Sequence, residues 1–386
     1  MIRTGMNKRR KIVVTSSHPG GINAIMPVIK RLTVEKKADI VVIGHKYSEK
    51  ILQKNGIDYK TIDSYSLKDV SVNSMRHLLK IESPDLVLTG TSYQDEENKD
   101  LIEQTIILAA KEENIKSLAV LDFWNIYSMK FSDIYTGEKF KFLPNKIAIM
   151  DLIAEQDMVT EGFNKKRLVV TGNPHFDHLS QKAQDFTKKD GQFIREKIGL
   201  SSGFLIFYAG SIFKKEKETF GYWDLDVISL INETVKSLPL KQRKQIELIV
   251  KLHPRTPQPD VLEIKRYISK YSFDRMKLVA KIDTQELVLA SDLILISVST
   301  VGIEAIYMRK PCISLQPGLK GKDFLMIGGE SLIPTGYTVD SCQRKLKRAI
   351  IDKEYREKEI LGGMDDFKTE NRATERVVKV IYKMLT

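Results

Sequence analysis

Three short segments put imidazole, guanidinium, hydroxyl and carboxylate groups where a strand-like run gives way to a helix-like one. At such places unpaired backbone N–H groups point at an incoming anion. The first is Ser16-Ser17-His18-Pro19-Gly20-Gly21. Paired glycines allow close backbone approach, and His18 is suited to proton transfer near neutral pH. The second is Lys251-Leu252-His253-Pro254-Arg255, at the end of a strongly apolar run. An imidazole and a guanidinium fork there can hold a diphosphate, the fork by two parallel bonds. The third is Ser297-Val298-Ser299-Thr300-Val301-Gly302-Ile303-Glu304-Ala305. Ser299 or Thr300 can cap the helix while its free N–H groups face a phosphate, and Glu304, one turn in, can accept from ribose hydroxyls.

Each segment also has a plainer reading. His18 can be a solvated turn residue, His253 an imidazole that caps its own turn, Ser299 and Thr300 simple helix caps, and Glu304 a helix-surface carboxylate. Weaker signals accompany them. In Tyr208-Ala209-Gly210-Ser211, the backbone donors of Gly210 and Ser211 can reach a phosphate. Asp122 and Trp124 follow a strand-like run, and a carboxylate beside an aromatic ring suits an acceptor sugar, although a Trp also suits a core. Thr171-Gly172-Asn173-Pro174-His175-Phe176-Asp177 reads as a turn whose His175 and Asp177 either line a cleft or close the turn. The run Asp95-Glu96-Glu97 fits the first turn of a helix, where carboxylates oppose the dipole.

Several chemistries lose support. The six His residues are dispersed, there is no HExxH, and Cys312 and Cys342 are the only cysteines, so no metal site is expected. Two cysteines cannot build a disulfide framework and suit a reducing compartment. The first loop is neither GxGxxG nor a Walker loop, which argues against NAD and ATP chemistry, and no GxSxG elbow is present.

The elements that must position these groups alternate. Apolar runs at Lys11 to Thr15, Ile40 to Gly44, Leu86 to Thr89, Ser117 to Leu121, Ile147 to Met150 and Leu168 to Thr171 read as strands. Ile22 to Arg31, Ser74 to Ile81 and Leu101 to Lys111 read as helices. A second series follows the charged segment Gln181 to Gln192, in which one helix is expected. Its strands are Phe204 to Ala209, Glu247 to Leu252, Lys277 to Val279, Leu293 to Ile296 and Cys312 to Leu315. Its helices are Trp223 to Ser237, Val261 to Tyr271, Gln285 to Ala290 and Val301 to Met308. Such a succession is how a parallel sheet with crossover helices reads. The class is α/β, with a Rossmann-like domain over 1–180, a second over 200–370, and a C-terminal helix over 371–386 that crosses back to the first. Two parallel sheets facing one central cleft would place the ligand at the carboxyl ends of their strands.

At 386 residues, two domains are the natural division. With 42% hydrophobic and 29% charged residues the chain reads as a soluble globular protein. No run approaches a membrane span, and the basic stretch Met1 to Arg10 leads directly into a strand, so a cytoplasmic protein is expected. The net charge of +12 is spread along the chain with no basic–aromatic cluster. That excludes nucleic acid as the leading partner and is compatible with weak, peripheral attraction to the anionic inner face of a membrane.

The order of His18 to Gly21, the GNPxxD turn Gly172 to Asp177, Lys251 to Arg255 and the block Ala290 to Pro311 resembles the GT-B superfamily. Within it the likeness is to CDP-glycerol-type and capsule sugar transferases and to UDP-N-acetylglucosamine 2-epimerases. The resemblance implies a donor nucleotide of UDP or CDP/CMP type in the second domain and an acceptor on the first. It implies phosphate contacts from His253, Ser299 and Thr300, a ribose contact from Glu304, and His18 beside the acceptor. No separate cofactor is implied. Where the epimerases carry a GTRPE-like first loop this chain has SSHPGG, and where they start a helix with Ser-Gly-Gly it has Ser299-Thr300-Val301, which favours a transferase.

The expected reaction is therefore transfer of a sugar or polyol phosphate from a nucleotide-activated donor to a hydroxyl of a glycan or lipid-linked acceptor, in cell-surface or capsule polysaccharide biosynthesis. The expected catalytic residues are His18, Asp122 and His253; the expected donor-binding residues are Gly210, Ser211, His253, Arg255, Ser297, Ser299, Thr300 and Glu304. The alternatives are a hydrolysing or non-hydrolysing 2-epimerase and a non-catalytic nucleotide-binding scaffold.

Overall fold

The computed structural model describes residues 9–95, 99, 101–200, 203–323, 325–327, 330–331, 333–365 and 367–386. Glu96 and Glu97 of the acidic run lie outside these residues, and the nearby helix begins at Ile102. The chain forms two compact units, one of residues up to Asp177 with Glu370–Thr386, the other His178–Thr369.

In the first unit the described strands are β1 (Lys11–Ser16), β2 (Asp39–Gly44), β3 (Leu86–Thr89), β4 (Lys116–Val120), β5 (Lys146–Ile149) and β6 (Leu168–Val170), all parallel, in the order β2-β1-β3-β4-β5-β6. Side chains of a strand alternate between faces. Thus Ile12 and Val14 pack with Ile22, Ile25, Ile29, Val377 and Ile381, whereas Val13 joins Met75, Leu78, Ile102 and Ile106 on the other face. Burial on both faces is why these strands read as continuous apolar runs. The helix Pro19–Glu35 starts with Pro at its first turn, where the missing N–H is no loss. It ends on Lys36 in the left-handed region, whose N–H closes on Leu32 O.

In the second unit, β7 (Phe204–Ala209), β8 (Ile246–Lys251), β9 (Met276–Val279), β10 (Leu293–Ile296), β11 (Cys312–Leu315) and a short β14 (Thr335–Gly336) make a parallel sheet ordered β14-β11-β10-β7-β8-β9. Between β11 and β14 lies a small hairpin of β12 (Met326–Ile327) and β13 (Glu330–Ser331). Read from β9, the main sheet has the 3-2-1-4-5-6 order of the dinucleotide-binding fold, whereas the first sheet has the 2-1-3-4-5 order of its flavodoxin-like variant. The order reverses between β1 and β3 in one sheet and between β7 and β10 in the other.

Two features differ from the expectation. The charged segment before β7 holds two helices, Asp177–Asp185 and Lys188–Lys197, because Thr187 and Asp190 form a reciprocal capping box that starts a new helix. β14 has two residues, too few to show a period.

Candidate functional site

β8, β7 and β10 are parallel neighbours, so His253, Gly210 and the segment Ser297–Thr300 all leave the second sheet at its carboxyl edge, beside the reversal point. His253 makes a tight turn. Its Nδ1 accepts the Arg255 N–H at 3.1 Å, and its carbonyl accepts Thr256 N at 2.9 Å and Thr256 Oγ1 at 2.7 Å. With Nδ1 an acceptor, the neutral ring carries its proton on Nε2, the atom it can offer to a ligand. Burial, then the charge of Arg255, holds the imidazole below its ordinary pKa and favours that neutral form. Arg255 is exposed and joins the turn through its backbone.

Glu304 lies one turn into the helix Val301–Tyr307. Its Oε2 is buried without a hydrogen-bond partner. Burial, then Asp283, raises its pKa, against the opposing pull of Lys182 and Lys251. Lys251 is fixed by the Ile282 carbonyl at 2.5 Å and Thr284 Oγ1 at 2.8 Å. Ser299 Oγ accepts the Val301 N–H at 3.3 Å; Thr300 stands at the cap position with helical backbone angles and an exposed side chain that does not cap.

Two expectations are corrected in this edge. The backbone donors of the Gly210-Ser211 turn are already taken: Gly210 N bonds the Lys251 carbonyl at 2.9 Å, and Ser211 N and Ile212 N bond Asp224 Oδ1 at 3.0 and 3.1 Å. What Ser211 retains is a buried, unpartnered Oγ. Ser297 is fully buried, with its Oγ on the Leu315 carbonyl and near Tyr208 Oη, both at 3.2 Å, and its carbonyl accepting from Ser314 Oγ at 2.5 Å. It serves the sheet, not a ligand. Asp224 was missed by the sequence reading. It is 1% exposed, also accepts from Tyr208 Oη at 2.9 Å, and burial pushes it up to about 6. Its only sequence signal is an acid in the first turn of the helix Asp224–Lys236.

In the first unit, His18 is the N-cap of the helix Pro19–Glu35, makes no side-chain cap bond, and has a buried Nε2 without a partner. Tyr47 lies 6.1 Å from its ring. Asp122 leaves the carboxyl end of β4; its Oδ1 accepts from Thr91 Oγ1 at 2.6 Å and Lys130 Nζ at 2.5 Å. Its carbonyl holds Asn173 Nδ2 at 2.9 Å, which ties the Gly172–Asp177 turn to β4. A methyl at Gly20 would meet Asp122 Oδ2 at 2.5 Å, so the His18 loop and Asp122 are brought together. Asn125 and Ile126 follow with φ of 121° and 44°, which for a β-branched residue is strained backbone beside the site.

Trp124 is corrected to core. It is fully buried, donates from Nε1 to Asp151 Oδ2 at 2.7 Å, and stacks on Phe176. Asp151 caps the helix Leu152–Thr160 and is pushed by burial up to about 6. The Asp177 carboxylate caps the C-terminal helix at Ala373 and Thr374, a use that neither sequence reading of it named; His175 packs its ring near Phe176 at 5.2 Å. The sequence reading also missed Lys130, Thr91 and Glu103. Among the described residues no group of three His, Cys, Asp or Glu could hold a metal, and no helix is long and apolar enough to cross a membrane.

No protein-family model and no curated protein matches the chain. Solved structures do resemble it along its length. The UDP-GlcNAc 2-epimerase of Neisseria meningitidis, bound to UDP-GlcNAc, superposes with a TM-score of 0.68 at 16% identity, covering 97% of this chain and 100% of that one. A glycosyltransferase of Rickettsia africae gives 0.61 at 14% identity, covering 98% and 99%. An Anabaena protein in complex with UDP and glucose gives 0.54 at 13%, covering 97% and 98%. With its two doubly wound parallel sheets, the chain has the GT-B fold.

Proposed function

We propose that the chain is an enzyme acting on a nucleotide-activated sugar, with the donor held at the carboxyl edge of the second unit. The observation that carries the reading is the turn at His253: its Nδ1 is occupied, so Nε2–H is the free donor, and the exposed Arg255 guanidinium follows two residues later. Such donors stabilise the charge that develops on a departing nucleoside diphosphate. Glu304 Oε2, desolvated and unpartnered, is an acceptor for ribose hydroxyls, and its unmet hydrogen bond is satisfied when nucleotide binds. Ser299 Oγ, Thr300 and the free Ser211 Oγ are further contacts for the phosphates. In the first unit His18, with its unpartnered Nε2, is the base for an acceptor hydroxyl, and Asp122, paired with Lys130, supplies fixed charge beside it. No cofactor beyond the nucleotide is required. The reaction in this reading is transfer to the hydroxyl of a glycan or lipid-linked acceptor in surface polysaccharide synthesis, by a cytoplasmic protein with weak peripheral attraction to an anionic membrane.

The second reading is 2-epimerisation of UDP-GlcNAc, favoured by the likeness to the N. meningitidis epimerase solved with that nucleotide sugar. One experiment separates the two. The protein is screened by thermal shift against UDP, CDP, CMP, GDP and ADP, then incubated with the stabilising nucleotide's sugar conjugates with and without acceptors. Acceptor-independent change at the sugar's C2 selects the epimerase; release of nucleotide that depends on an acceptor selects the transferase. His253→Ala and Glu304→Gln should each weaken nucleotide binding about tenfold, one charge-assisted or desolvated hydrogen bond being worth about 1.5 kcal/mol. Glu304→Gln should do so without loss of thermal stability, since it removes a charge that burial disfavours. A panel with no stabilising nucleotide would leave this proposal without support.

A further inference from the structure

Glu103 sits at the second position of the helix Ile102–Glu112 and is 1% exposed. Its Oε1 accepts from Ser16 Oγ at 2.8 Å, Ser17 N at 2.6 Å and Ser17 Oγ at 3.0 Å, while Oε2 accepts from Ser17 Oγ at 2.8 Å. The donors belong to the last residue of β1 and the first of the loop after it, and the acceptor to the helix after β3. These two strands are neighbours at the reversal point of the first sheet, the place where an open α/β sheet ordinarily receives its ligand. A backbone N–H flanked by two hydroxyls is the donor set that an anionic group would use. The backbone is tightly packed next to this loop, since a methyl at Gly90 would meet Gly21 Cα at 2.5 Å.

We propose that Glu103 is a built-in anion: a positioning residue that occupies the anion-binding donors of the first loop, fixes Ser16 and Ser17 so that His18 is presented, and excludes an external phosphate there. The first unit is thereby selective for an uncharged hydroxyl partner over the phosphates of a nucleotide. The selectivity and the effect on turnover rest on the function proposed above; the occupancy of the donors does not. Ser48 N, bonded to the Ser17 carbonyl at 3.1 Å, extends the same lock to the first turn of the helix Tyr47–Lys54 that follows β2.

The test is chemical rescue. Glu103→Ala vacates the carboxylate's place and leaves three donors unmet, which a small carboxylate can refill. Thermal midpoints of the full-length variant and of wild type are compared in sodium formate and in sodium chloride at equal ionic strength. Formate should raise the variant's midpoint saturably and leave wild type unmoved. A variant indifferent to formate, or a wild type that responds as strongly, overturns the proposal. If Glu103→Ala is recovered only unfolded, its refolding yield in formate against chloride is read in the same way. Glu103→Gln still fills the place and should ignore formate; a response equal to that of the Ala variant also overturns it. Where wild type turns over a nucleotide sugar, Glu103→Ala should lose about a hundredfold in kcat through misplacement of His18, regain it in formate, and keep its nucleotide affinity. A wild type without turnover defeats the proposed function, while the formate comparison still decides the role of Glu103.

Discussion

Oδ2 of Asp224 lies over the α-carbon of Gly210, so close that a methyl group at position 210 would stand 2.5 Å from it. The carboxyl edge of the second unit is therefore built in part by a side chain that folds back over a glycine and takes up the N–H groups of the next two residues, Ser211 and Ile212. Gly210→Ala should push this carboxylate off its donors. Overpacking of this kind destabilises by about 1–3 kcal/mol, and urea unfolding should show a lower midpoint with an unchanged slope. A midpoint equal to that of wild type would show that the loop yields freely and that Asp224 does not hold it.

Asp224 also gives the fold a pH dependence of definite sign. Burial raises it from 3.8 to about 6 in the native state, while in the unfolded chain it stays near 3.8. Between those values the native state holds a proton that the unfolded state has lost, so the stability that Asp224 contributes is fully present below pH ~4 and is lost as pH rises through ~6. The contribution lost is about 3 kcal/mol, each tenfold change in the acid constant being worth about 1.36 kcal/mol. Asp224→Asn cannot ionise, so its stability relative to wild type should climb by that order between pH 4 and 7. Urea midpoints of both proteins across this range would read it, and parallel curves would refute it. Asp151, raised to about 6 by the same cause, stays in both proteins and cancels in the comparison.

The path from sequence to this site was uneven for a physical reason. β1, β7 and β10 are buried on both faces, so their apolar runs show directly, and the loops that carry His18, His253 and Ser299 follow from them. Glu103 was not legible, because its partner Ser17 lies 86 residues away and only the pairing of β1 with β3 brings it near, and Lys130 was not, because the fold of the segment after β4 turns it back onto Asp122 eight residues earlier. Trp124 misled for a related reason. It follows a strand end as a ligand-facing residue would, but its indole points to Asp151, whose position depends on β5 being the neighbour of β4. Gly210 and Ser211 have the composition of a phosphate loop, and nothing local reveals that the Lys251 carbonyl takes the Gly210 N–H or that an acid 13 residues beyond Ser211 takes the next one.

Asp122 and Lys130 form a pair whose ammonium side chain is only 3% exposed, against 19% for the carboxylate. Removing one partner of such a pair strands the other charge, at a cost of about 3–5 kcal/mol. Asp122→Ala should therefore lose activity through folding alone and cannot by itself establish a catalytic role. Asp122→Asn keeps an oxygen for Thr91 Oγ1 and Lys130 and should lose less stability. The double variant Asp122→Ala/Lys130→Met should recover most of what Asp122→Ala loses, and a cycle of unfolding free energies measures the coupling. Strict additivity of the two changes would show that the pair is not coupled.

Asp177 ends the turn that begins at Gly172 and caps a helix almost two hundred residues further along the chain. Its Oδ1 accepts the Ala373 N–H at 3.1 Å, and its Oδ2 accepts Thr374 N at 2.8 Å and Thr374 Oγ1 at 2.6 Å. The helix Ala373–Leu385 buries Val377, Val378, Ile381 and Met384 in the core of the first unit, against the helix Pro19–Glu35 whose first turn follows His18. Loss of an N-cap typically destabilises by about 0.5–2 kcal/mol, so Asp177→Ala should lower the unfolding midpoint and Asp177→Asn, which still accepts, should lower it less. Deleting residues 371–386 is a different order of change. Four apolar side chains at about 1.5–3 kcal/mol each approach the whole margin of a typical domain, about 5–15 kcal/mol, so the truncated chain should not keep a folded first unit. Hydrogen exchange on the full-length Asp177→Ala protein reads the intermediate case: amides of the first turn after Arg372 should exchange faster than in wild type, while those of β8 should not. Unchanged exchange at Ala373 and Thr374 would mean that side-chain burial alone fixes this helix and that the cap contributes nothing measurable.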